Sequence, residues 1–351
     1  MSFANRASAK VFRDKLEIPV IQGGMGVGIS MGKLAGSVAA CGGMGVISTA
    51  LIGFREEDFY QNHVEADVRA LRKEIQIAKE IANGRGMIAI NAMTVTTDYR
   101  ECIEAAVREG IDAIISGAGL PLALPELVDG KDVLIAPIVS SAKAAALIMR
   151  SWNKKCERKP DFIVVEGSGA GGHLGFKKEE LINRSYQPLT EIVSDVVKVC
   201  GDIPVFAAGG IFDADDIKEV LKCGAYGVQM GTRFIACEEC DASQGFKEKI
   251  VKAKAEDLKI IQSPVGLPGR ALKSALHEQI ENEGRKAPSR CINCISTCDP
   301  KTTPYCISAA LISGFNGDEE NGLFFSGENC GRIDKIVKVK DLMDELSKGF
   351  E

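Results

Sequence analysis

"IPVFAAGGIFDADDIKEVLKCGAYGVQMGTRF" (203–234) decides how this chain folds. It holds two short apolar runs, "IPVFAAG" (203–209) and "YGVQMG" (226–231), each closing on glycine. Between them Asp213–Leu221 reads as a helix. The apolarity of each run is continuous rather than alternating, which suits strands covered on both faces. Strand, glycine turn, helix and strand make one parallel βαβ unit.

Working outward, the same pattern recurs. Further runs are "IPVIQ" (18–22), "MGVIS" (44–48), "MIAINAM" (87–93), "AIISG" (113–117), "VLIAPIV" (133–139) and "DFIVVEG" (161–167). Helical patterns separate them at Met31–Ala40, Glu65–Ile81, Asp98–Arg108, Ser141–Met149 and Thr190–Val199, while Pro121 and Pro125 limit the remaining gap to a short piece near 125–129. Eight strands with intervening helices match an α/β fold of the closed (β/α)8 TIM-barrel type better than an open doubly wound sheet, although periodicity alone does not show closure. The expected division is a barrel over 1–237 and a C-terminal extension over 238–351. In that extension, 238–290 reads as mostly helical, 291–330 as turn-rich and cysteine-bearing, and 331–351 as an amphipathic helix.

Composition narrows the function classes. The chain has 351 residues, 45% hydrophobic and 26% charged, enough apolar material for a large core. A formal net charge of −5, with no long basic stretch interleaved with aromatics, gives no reason to expect nucleic acid. The start "MSFANRASAKVFRD" has no apolar signal region, and no run of about 18 apolar residues suggests a membrane span. A cytoplasmic protein acting on a small molecule is expected, with a homodimer among its allowed states. Eight of the twelve cysteines are scattered and read as reduced small hydrophobes. The other four, Cys291, Cys294, Cys298 and Cys306, form C-x2-C-x3-C-x7-C. Three readings stay open for them: a zinc or iron–sulfur site, a dithiol, or a compact segment of reduced thiols.

In a barrel, ligands bind at the C-terminal ends of the strands, and glycines gather there. Gly209 and Gly210 after the seventh strand, with Gly231 and Thr232 after the eighth, offer backbone N–H groups and a hydroxyl to a phosphate. Neither loop is a Walker loop, and "GVGISMG" (26–32) is not a dinucleotide fingerprint. A phosphorylated flat cofactor follows, and FMN fits. Gly23, Gly24 and Met25 would let a ring lie against backbone, and Asn91 would bond its polar edge. Lys143 would place positive charge nearby, unless it is an ordinary solvated first-turn lysine. After the sixth strand comes "EGSGAGGHLG" (166–175). Its Gly171 and Gly172 wall the pocket, and Glu166 bonds loop amides or a cofactor hydroxyl. His173, one of only three histidines, is the candidate catalytic base or hydrogen-bond donor. His63 and His277 read as surface residues.

"PVIQGGMGVGIS", "LAGSVAACGGMGVIS", "INAM", "GAGGHLG", "VFAAGGI" and "GVQMGTRF", in this order over roughly 15–275, resemble the nitronate monooxygenase family. Flavin-dependent enoyl-acyl-carrier-protein reductases are close relatives of that family. The resemblance implies a TIM barrel with noncovalent FMN, its phosphate near Gly209, Gly210, Gly231 and Thr232, and catalysis by His173. It implies oxidation of alkyl nitronates with dioxygen. The alternative is NAD(P)H-dependent reduction of an enoyl thioester or a quinone, which would make an acyl thioester the substrate. In one respect the chain departs from the family: Gly169 stands where many members carry an acidic residue, in a pattern E-A/S-G-G-H that here reads Gly169-Ala170-Gly171-Gly172-His173.

Overall fold

A computed structural model describes residues 11–12 and 14–351, so most of the N-terminal stretch read for a signal region lies outside the described residues. Eight parallel strands form a closed barrel: β1 (Val20–Gln22), β2 (Met44–Ser48), β3 (Met87–Met93), β4 (Ala113–Gly117), β5 (Leu134–Val139), β6 (Ile163–Glu166), β8 (Val205–Ala208) and β9 (Gly227–Met230). The barrel shuts where β9 pairs with β1, Val20 opposite Val228 and Gln22 opposite Met230. That pairing excludes the open sheet. Each expected strand is present, trimmed at most by a residue or two at its ends.

Burial explains the continuous apolar runs. Every residue of β2, β4, β8 and β9 is buried. Side chains pointing inward, among them Ile21, Met44, Val46, Met87, Val164 and Phe206, fill the barrel. Those pointing outward meet the helices, as Ile47, Ile90, Ile114 and Val228 do. Gly45 has no room for a side chain, because a Cβ there would run into the backbone of Ala35 on helix Gly32–Ala40. Phe12, Phe162, Phe206 and Tyr226 meet ring against ring, with centroids 5.2–5.8 Å apart, at the strands' N-terminal ends. One mouth is thereby plugged with aromatics. A ligand must enter from the other.

The expected helices also form, at Gly32–Ala40, His63–Ala82, Tyr99–Arg108, Leu124–Leu127, Ala142–Cys156, Leu189–Cys200 and Ala214–Lys222. Asp213 caps the last through its side chain, accepting from the N–H groups of Asp215 and Asp216.

The expectation of a mostly helical 238–290 needs correction. Helices Gln244–Lys252 and Ala275–Glu283 flank an antiparallel hairpin of β10 (Leu258–Gln262) and β11 (Pro268–Leu272). On its far side β11 pairs with β7 (Gly172–His173), with Gly269 opposite His173 and Arg270 opposite Gly172. "LKIIQ" and "PGRAL" lack clean alternation, and their partner is a two-residue strand remote in sequence, so no local period announces them. The terminal helix is shorter than expected, Val339–Ser347. Ile333 is buried upstream of it, and Val337 makes a parallel bridge to Cys237 instead of a helical turn.

Candidate active site

A cavity of about 490 Å3 opens at the C-terminal ends of the barrel strands. Its wall brings together Gly23, Gly24, Met25, Asn91, Glu166, Gly171, Gly172, His173, Gly209, Gly210, Gly231 and Thr232. Lys143 is not among them. It stands exposed on the first turn of helix Ala142–Cys156, while its neighbours Ser141 and Ala144 line the wall, so the solvated reading holds for it.

Local bonding shapes each loop. The Gln22 side chain, buried inside the barrel, donates to Gly23 O at 2.6 Å and accepts from Val46 N–H at 3.2 Å. Met25 N–H donates to Ser30 Oγ at 2.7 Å, closing the loop on itself. Gly24 lies flat on Asn91, and a Cβ there would strike the Asn91 side chain. Gly209 and Gly210 have φ of 89° and 85°, which side-chain-bearing residues rarely adopt.

His173 sits where the barrel loop meets the hairpin. Its Nε2 is 2.8 Å from Ser263 Oγ, a residue of the β10–β11 turn, and its ring meets Phe325 edge-on at 5.1 Å. Burial pushes its pKa down to about 4, so at neutral pH the ring is uncharged, with one nitrogen to donate and one to accept. Burial also pushes the Glu166 carboxyl up to about 8. At neutral pH it is therefore a hydrogen-bond donor rather than a fixed anion.

Several site residues escaped sequence reasoning. Gln229 Oε1 is buried on the cavity wall with no hydrogen-bond partner, a waiting acceptor. A polar residue inside the apolar run "YGVQMG" was the available signal for it. Arg270 reaches from β11 into the glycine loop, where Nη1 donates to Ser168 O and Ala170 O. Residues 326–329 cross the loops from the C-terminal side. Gly327 N–H donates to Thr232 Oγ1 at 2.9 Å, Glu328 N–H to Gly169 O at 3.1 Å, and Asn329 Nδ2 to Gly210 O at 2.6 Å. These contacts explain Gly169: a Cβ there would collide with the Glu328 carboxylate. The Glu328 carboxylate from the extension thus stands where a side chain at position 169 would lie.

His277, expected on the surface, is 5% exposed, its Nδ1 3.2 Å from Ser274 Oγ. The β10–β11 hairpin, whose Lys259 bears on it, was not foreseen. His63 lies part-exposed at a helix start, 3.2 Å from Thr97 Oγ1. All twelve cysteines are free thiols. Among the described residues no three His, Cys, Asp or Glu side chains converge closely enough to hold a single metal ion, and no helix is long and apolar enough to cross a membrane.

The closed parallel barrel with glycine loops and a histidine at its mouth is that of an α/β-barrel enzyme, and its relatives make the class the flavin-dependent oxidoreductases. Within it the chain belongs to the nitronate monooxygenase family, whose model, described as "Nitronate monooxygenase", matches residues 9–349. The chain is 24% identical over 361 residues to the "(3aS,4S,5R,7aS)-5-hydroxy-7a-methyl-1-oxo-octahydro-1H-indene-4-carboxyl-CoA dehydrogenase" of Rhodococcus jostii, covering 93% of this chain and 91% of that one. It is 26% identical over 291 residues to a "Probable nitronate monooxygenase" of Staphylococcus saprophyticus, covering 74% and 76%. Among solved structures, FabK from Thermotoga maritima matches with a TM-score of 0.74 at 26% identity, covering 97% of this chain and 95% of that one.

Proposed function

We propose that the protein binds FMN in the barrel mouth and oxidises alkyl nitronates with dioxygen. The observation that carries this reading is His173, an uncharged imidazole on the wall of the same cavity as the two glycine loops. The residues present fit the cofactor. Gly209 and Gly210 carry no side chains of their own, with the Glu328 carboxylate beside Gly210 having to turn away from a phosphate, Gly24 clears a flat surface over Asn91, and Gln229 Oε1 lacks a donor. When bound, FMN supplies a ring that accepts electrons from the substrate and is reoxidised by dioxygen.

The chain's own residues do the rest. Gly209, Gly210 and Gly231 would hold the phosphate through N–H groups. The Thr232 hydroxyl, which accepts from Gly327, keeps its proton to donate. Gly23, Gly24 and Met25 would lie along the ring, Asn91 and Gln229 would bond its polar edge, and Glu166 would bond a chain hydroxyl. His173 donates N–H to a nitronate oxygen, or takes the α-proton when the neutral nitroalkane enters. Residues 1–237 carry the cofactor on this reading, and 238–351 complete the substrate side through Ser263 and Phe325.

A second reading, NAD(P)H-dependent reduction of an acyl thioester, is favoured by the apolar part of the wall formed by Met93, Leu120, Ile138, Leu267 and Leu311. The Rhodococcus relative, named for a carboxyl-CoA, points the same way. Anaerobic mixing separates the two. Bleaching of the flavin by an alkyl nitronate, with little response to NADH or NADPH, is expected. Rapid bleaching by a nicotinamide followed by reoxidation with an enoyl thioester would replace the first reading with the second.

A further inference from the structure

The C-x2-C-x3-C-x7-C segment plays no part in the chemistry above, and its placement sets it apart from the scattered cysteines. We infer that Cys291, Cys294, Cys298 and Cys306 bind an iron–sulfur cluster of the four-iron, four-sulfide kind beside the barrel mouth. Three ligands close in sequence with a fourth farther on is a cluster-type arrangement, whereas structural zinc sites usually pair two C-x2-C knuckles.

Local structure supports the assignment. Asn293, between the first two cysteines, is in the left-handed region at φ 55°, and its N–H donates to Cys291 Sγ at 3.3 Å. Amide donors to sulfur are among the features that tune cluster thiolates. The loop is anchored on the barrel: Thr97 N–H donates to Cys294 O at 3.1 Å and Thr97 Oγ1 to Asn293 O at 3.0 Å. Cys306 caps the nine-residue helix Ile307–Phe315, whose positive end favours a thiolate.

The four thiols gather in space. Cys294 is near enough to Cys291 and Cys306 for their charges to bear on it, and the same holds for Cys298 with Cys291 and Cys306. Yet no three of them converge tightly enough for a single ion. Ligands to one zinc must crowd around it, while ligands to a cluster stand apart because irons and sulfides lie between them. The thiols as they stand do not form a site for a single ion, which disfavours zinc. A four-thiolate cluster carries net negative charge, and cations are tied to this loop. Arg285 donates to Thr303 O at 3.0 Å and Pro300 O at 2.9 Å, and Lys286 N–H to Pro304 O at 2.7 Å, with Lys301 on the loop itself.

Cys291 is exposed and the other three are part-buried, so the site is shielded yet reachable for assembly. Cys294 also shares a small cavity with His173, which puts the cluster next to the candidate active site.

The test uses full-length protein purified without oxygen, then reconstituted with ferrous iron and sulfide. About four irons and four acid-labile sulfides per chain are expected, with an electron paramagnetic resonance signal after dithionite reduction. Cys298→Ser and Cys306→Ser should each lose most of the iron, sulfide and signal, whereas Cys156→Ser keeps them. Circular dichroism melts report whether each variant is folded, and metal analysis of the unaltered chain decides the matter if a variant is not. One zinc per chain, iron without sulfide, a disulfide within the segment, or no metal at all would overturn the assignment. None of these readouts depends on turnover, so they stand apart from the test of the proposed reaction.

Discussion

His173 takes its protonation state from its surroundings. With burial holding its pKa near 4, the ring stays neutral well below the ordinary value of 6.5. Turnover should therefore persist through pH 6.5 and reach half only near 4. A pH–rate profile checks this, and an acid limb near 6.5 would contradict it. Replacing His173 with Ala should cut substrate-driven flavin reduction by about 10²–10⁴-fold with flavin content preserved; unchanged reduction in stopped-flow would make the residue structural. Gly169 makes a different point. Gly169→Ala places a methyl against the Glu328 carboxylate, an overpacking cost of about 1–3 kcal/mol. Its melting temperature should fall, and pairing it with Glu328→Ala should restore part of the loss. At this scale the sequence was generous with the barrel's own loops, because strand-end glycines and a lone histidine sit beside recognisable strands. It was silent on Ser263, Arg270 and Glu328, whose partners lie about 90–160 positions away in the chain.

At the scale of elements, the barrel and the hairpin differ in how they advertise themselves. Each barrel strand is buried on both faces and carries its signal in its own residues. The β10–β11 hairpin is specified by its fit to Gly172–His173, and only the fold brings those together. Arg270 locks this junction: its guanidinium, 8% exposed, satisfies two carbonyls of the glycine loop. Arg270→Met leaves both without that donor, at a cost of about 2–4 kcal/mol. The variant should melt earlier and turn over more slowly, with the loop near 168–172 gaining amide exchange. Unaltered exchange there would show that β11 holds the loop without the arginine.

Across the whole molecule, buried titratable groups pull stability in opposite directions. Burial raises Glu166 to about 8, and Asp67, buried beside Asp98, is also held well above the usual carboxylate range. Such carboxyls keep their protons when folded and lose them when unfolded, so stability falls as pH rises from about 4.5 toward 8. His173 and His277, both lowered to about 4, act oppositely, but only below 6.5. Between pH 6.5 and 8 the carboxyls act alone, so melting temperatures of flavin-free protein should decline across that window. Asp67→Asn should flatten the slope; an unchanged slope would remove Asp67 from the account. Molecule-scale closure is also what makes residues 326–329 consequential. They cross the glycine loops through Thr232, Gly169 and Gly210. The rate at which an occupant leaves the mouth should therefore follow how often these bonds open as well as its own contacts.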